Sequence, residues 1–181
     1  MNAESRPERS LAGKAADLFR DDQIDPLRLT DEVRRLRRSG RRAALIDSGL
    51  FGMPDLDWLA AERLDLFSSD AAGRAGRDLV RLGEDVRAAG GRARYLLAGP
   101  WEGDAGAPRP SFDELILMGR GGWDIHVSNR ERERDPGRLC DLARACREGG
   151  ALLVYYHAGR PDARLEDLAE CGAWIHLGEE A

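Results

Sequence analysis

The chain has 181 residues, 42% of them hydrophobic, and its formal net charge of -5 is spread over many charges of both signs. That length suits one α/β core rather than two. The sequence contains no apolar run of about 18 residues, and Met1 to Lys14 is polar and charged, so neither a membrane span nor a signal peptide is expected and the protein reads as cytoplasmic. Lys14 is the only lysine among the 28 basic residues. This arginine excess, with abundant Ala and Gly, reads as GC-rich codon usage before it reads as phosphate recognition.

Residues 1–29 carry no strand signal. Leu11, Ala15, Leu18 and Phe19 form a weak helical stripe ended by Asp25-Pro26, so an N-terminal extension, partly helical or disordered, is expected before a single α/β domain over residues 30–181. Thr30 caps a helix from Asp31 to Ser39 that stops at Gly40. Its arginines, Arg34 to Arg42, follow an acidic start and complement the helix dipole, which makes a nucleic-acid partner unlikely. The Ala43–Ile46 strand comes next. A helix from Pro54 then precedes the Leu64–Phe67 strand, and a longer one, Gly76 to Ala89, stops at Gly90-Gly91 before the strand Ala93–Leu97.

The second half repeats the pattern. Ser111 and Glu114 have capping-box spacing for a helix that leads to the strand Ile125–Val127. Pro136 to Glu148 is helical and stops at Gly149-Gly150 before Ala151–Tyr155, and Arg164 to Cys171 precedes Trp174–Leu177. Short-helix and long-helix units therefore alternate, with Leu56-Asp57-Trp58-Leu59, Phe112-Asp113-Glu114-Leu115 and Leu165-Glu166-Asp167-Leu168 in matching places. Strands separated by helices pair in parallel through right-handed crossovers. About six βα units fall short of the roughly 250 residues of a closed eight-stranded barrel. The expected fold is a TIM-barrel-like partial barrel, with an open doubly wound sheet as the alternative.

In such folds ligands bind at the carboxyl ends of the strands, and the polar endings there are the candidate site. His157, at the end of the sixth strand, is the leading acid or base because its ordinary pKa lies near neutrality. Asp47 and Asp70 are the supporting catalytic candidates, although each is also a residue that caps helices. Ser48, Ser69, Ser128, Asn129, Arg130 and Tyr156 are the ligand-binding candidates. Arg130 is the group suited to an anion, so a small anionic ligand is expected.

His126, His157 and His176 all fall in or at the end of strands. They permit a metal site with Asp47, Asp70 or Glu179, yet H-x-H and H-E-x-x-H spacings are absent, so metal and cofactor stay unassigned and core histidines are the simpler reading. Cys140, Cys146 and Cys171 lack C-x-x-C spacing and read as free, buried thiols. The loop Trp101 to Pro110 has the length of a lid. An enzyme acting on a small molecule and a non-catalytic module that binds a partner or a second copy, through strand edges or Trp58, Trp101 and Trp123, both remain open.

Overall fold

The computed structural model describes residues 16–97, 109–129, 134–158 and 164–177. Seven strands form one parallel sheet: β1 (Asp17–Arg20), β2 (Ala43–Ile46), β3 (Asp65–Ser69), β4 (Ala93–Leu97), β5 (Trp123–Ser128), β6 (Leu153–His157) and β7 (Trp174–Leu177). They are ordered in space as in sequence. Between them lie α1 (Pro26–Arg38), α2 (Met53–Ala60), α3 (Gly76–Ala88), α4 (Phe112–Arg120), α5 (Pro136–Glu148) and α6 (Leu165–Cys171).

The sequential order decides between the two expected architectures. A doubly wound sheet reverses its order at a switch point; this one never does. With right-handed crossovers throughout, all six helices fall on one face, and each helix accordingly contacts the next from α1 to α6. Among the described residues β1 and β7 do not pair with each other, so the sheet is a barrel wall left open. The helices alternate in length, at 13, 8, 13, 9, 13 and 7 residues, matching the alternation of units in the sequence.

The N-terminal expectation changes over its described part. Residues 17–20 are a strand paired in parallel with β2, Asp17 beside Ala43 and Phe19 beside Leu45. Asp25-Pro26 begins a helix instead of ending one: the Asp25 Oδ1 accepts the Arg28 N–H at 3.0 Å, and Pro26 sits where its missing N–H costs nothing. Thr30 therefore lies inside α1 and donates to the Pro26 carbonyl at 2.9 Å. At α4 the capping box forms as expected, Ser111 and Glu114 exchanging bonds of 3.3 and 2.8 Å.

Strand alternation divides the side chains cleanly. Leu45, Leu66, Tyr95, Trp123, Ile125, Val127 and Tyr155 point to the helices and form the core with Leu79, Leu82, Leu115 and Leu142. Trp123 is among them. Its indole N–H donates to the Leu79 carbonyl at 3.0 Å, so it is a core residue and cannot be the partner anchor the sequence suggested. Trp58, by contrast, is 39% exposed. The opposite face carries Ile46, Phe67, Arg94, Leu96, His126, Tyr156, Trp174 and His176, none of which joins the core cluster. Parallel sheets are ordinarily covered on both faces; among the described residues no helix packs on this one, and it forms a trough.

Candidate functional site

The polar rim at the carboxyl ends of the strands is split by the same alternation. On the helix side, Asp21 follows β1, Asp47 follows β2, Asp70 follows β3, Asn129 follows β5 and His157 ends β6. Each is tied into a local network. Asp21 is buried and accepts the backbone N–H groups of Ser48 (3.0 Å), Leu50 (3.0 Å) and Phe51 (3.4 Å) as well as the Ser48 hydroxyl. Burial pushes its carboxyl up, but those hydrogen bonds outweigh burial and hold it below the ordinary carboxylate range. Asp21 thus pins the β2–α2 loop, and Ser48 is one of its pins.

Asp47 is an ion-pair residue. Arg74 grips its carboxylate with two bonds, 3.1 and 2.6 Å, while the Ser68 hydroxyl donates at 2.9 Å and the Gly49 N–H at 3.1 Å. The pair is buried, with the side chains 10% and 0% exposed. Gly49 has φ +97, and a Cβ there would stand 2.6 Å from the Ala72 carbonyl oxygen, so glycine is required for this loop to close over the pair. Asp70, the first residue of a 3₁₀ turn, accepts the buried Tyr95 hydroxyl at 2.6 Å. Burial, and then this bond, raise the Tyr95 pKa well beyond its usual value.

His157 stands apart from both carboxylates: no hydrogen bond joins it to Asp47 or Asp70 among the described residues. Its partner is Asn129, which is fully buried. The Asn129 Oδ1 accepts the Ala158 N–H at 2.7 Å, which turns its Nδ2 towards the His157 Nδ1 at 3.3 Å. Because the amide is oriented by a backbone donor, the ring nitrogen facing it is the acceptor, which leaves Nε2 to carry the ring hydrogen. Arg134 donates through Nε to the Ser128 carbonyl at 3.0 Å and holds the same corner.

The trough side of the rim holds Ser69, Ser128 and Tyr156, together with His126 and His176, which sequence reading set aside as core residues or metal ligands. The His126 Nδ1 lies 2.9 Å from the Tyr156 hydroxyl. The two rings stack at 5.8 Å with 24° between planes, and His176 lies 5.4 Å beyond Tyr156. Register explains the row: Ser128 pairs with Tyr156, and Tyr156 with His176. Burial lowers the His126 pKa, so the ring facing the phenol is neutral at pH 7. Tyr156 and His157 are neighbours in sequence that point to opposite faces. Sequence signals for the row existed in the two histidines at strand positions, but the pairing that joins them to Tyr156 is long-range.

Among the described residues no three His, Cys, Asp or Glu side chains converge as a metal-binding group. Arg130, Glu179 and most of the lid expected at Trp101 to Pro110 lie outside the described residues. The void under α2, lined by Leu45, Leu56, Leu64 and Val86, is an apolar packing seam in the core.

Fold and rim together define an α/β protein of open-barrel form with polar strand ends. No family model matches the sequence, and no curated protein matches it. Among solved structures the chain is similar to a tetrameric deoxyribose phosphate aldolase from Aeropyrum pernix, at 12% identity and a TM-score of 0.36, over 90% of this chain and 84% of that one. Substrate and mechanism have to come from this chain's own residues.

Proposed function

We propose that the protein is an acid–base enzyme or binding protein for a small molecule seated in the trough at the carboxyl ends of β5 to β7, with Tyr156 as the group that meets the ligand. The observation that carries this reading is the 2.9 Å contact between the Tyr156 hydroxyl and the His126 Nδ1 on the face that none of the described helices covers. A phenol held by a neutral imidazole is a competent proton donor or acceptor. With the Nδ1–H tautomer donating, the phenol hydrogen is offered to the ligand; with the other tautomer, the phenol offers an oxygen lone pair. Ser69 and Ser128 supply hydroxyls on the same side. His126 acts through Tyr156. His157, Asp47 and Asp70 take supporting roles, holding the rim loops in place, and a carbonyl or hydroxyl group on an anionic ligand is the fitting partner for Tyr156.

The test is a thermal-shift screen of small hydroxy and keto acids, followed by titration of any hit against Tyr156→Phe and His157→Gln. Loss of one ligand hydrogen bond, about 1.4 kcal/mol, corresponds to about tenfold weaker binding for Tyr156→Phe, while His157→Gln stays near the parent. Unchanged binding in Tyr156→Phe with loss in His157→Gln places the ligand on the helix side and refutes the proposal. A second reading, assembly with another copy through the open edge, is favoured by the exposed Trp174 and Leu177 of β7; solution mass measurement checks it.

A further inference from the structure

Cys140 of α5 and Cys171 of α6 both lie at the seam where these two helices pack. The Cys140 Sγ lies 3.6 Å from the Asp167 carbonyl oxygen, and that carbonyl belongs to the turn of α6 that ends at Cys171, four residues on and on the same side of the helix. Both thiols are buried and free. Cys146 also lies on α5, but it packs at the opposite contact, against Gly119 of α4.

We propose that Cys140 and Cys171 form a disulfide site that covalently ties α6, and with it the edge strand β7, to the body of the protein. The oxidant class is a low-molecular-weight disulfide. One protein thiol, as its thiolate, attacks the small disulfide and expels one small thiol; the second protein thiol then attacks the mixed disulfide and expels the other. Two S–H bonds and one S–S bond break and one protein S–S bond forms, with both electrons and both protons carried off as two small thiols.

Closed, the pair is inert. Burial, reinforced by the neighbouring Cys171, pushes the Cys140 thiol up to about 12, and the thiol form is a poor nucleophile. Opening of α6 supplies access. It is a helix of seven residues followed by a strand with little buried surface, which is the kind of segment that opens locally at low cost. The tie matters to the trough because His176, beside Tyr156, stands on β7.

The experiment incubates the reduced full-length protein with oxidised glutathione, blocks remaining thiols with N-ethylmaleimide in denaturant, and reads intact mass and peptide map. The expected product lacks two hydrogens, carries one maleimide on Cys146, and contains a Cys140–Cys171 cross-linked peptide. Amide exchange across α6 should slow about tenfold or more, as a cross-link restricts the opened state. Cys146→Ala should form the same bridge, and Cys171→Ser should form none. Three maleimides after oxidation, a persistent glutathione adduct, or a bridge that uses Cys146 would overturn the proposal, and Cys146→Ala decides it even where Cys171→Ser fails to fold.

Discussion

Replacing Arg74 by Met tests the claim that Asp47 is engaged in holding the fold. The substitution keeps an unbranched apolar stem but removes two of the four hydrogen bonds to the Asp47 carboxylate, and a third to the Phe51 carbonyl at 2.8 Å. The carboxylate is left inside with only Ser68 and Gly49 as donors. Stranding one partner of a buried ion pair costs about 3–5 kcal/mol. In a domain of this size that corresponds to a fall in Tm of roughly 6–20 °C. Urea unfolding followed by circular dichroism measures the loss directly. Adding Asp47→Asn removes the stranded charge, so the double variant should recover at least about 1 kcal/mol relative to additivity. A single-variant cost below about 1 kcal/mol, or strict additivity in the double variant, would show that Asp47 and Arg74 do not act as a pair and would free Asp47 for another role.

Gly83→Ala should destabilise by about 1–3 kcal/mol, although alanine is the better helix former by about 1 kcal/mol, because its Cβ would stand 1.8 Å from the Trp123 indole nitrogen; a rise in Tm would contradict the packing. Asp21 has a folded pKa below its ordinary 3.8, so its stabilisation is present above that value and fades as pH falls through the folded one; Asp21→Asn should lower stability near neutrality and flatten the acid limb of a stability-against-pH curve. His126 has a folded pKa below 6.5, so the protein should lose stability as pH falls below 6.5, and His126→Gln should remove that component, read by unfolding at a series of pH values.

The helices were legible because their ends carry chemistry: Ser111 with Glu114, and Gly40, Gly90, Gly150 and Gly172, all with positive φ, mark boundaries locally. β1 was not, since four residues give too little alternation and Leu18 beside Phe19 mimics part of a helical stripe, whereas in the sheet these two neighbours face opposite ways. Missing β1 also hid Asp21, whose role depends on where that strand ends. Asp25-Pro26 suits either a stop or a capped start, and the packing of Leu29, Val33 and Leu36 onto the core decides for a start.

The strand ends identified the rim residues but could not sort them. One residue of register separates Tyr156 on the trough from His157 on the helix side, and adjacency in sequence made them look like one site. The side-chain partners that occupy Asp47, Asp70 and His157 come from 21 to 28 residues away, so nothing local announced them. His126 and Tyr156 are likewise joined across 30 residues, through the β5–β6 pairing.

The most direct test of the trough assignment is a crystallographic soak with fragments bearing carboxylate, carbonyl and hydroxyl groups. Fragments gathered on the Tyr156 face of the sheet, with a polar atom on the Tyr156 hydroxyl, are the predicted result. Fragments gathered instead at His157 and Asn129, or around Asp47, would contradict it and return the site to the helix side of the rim.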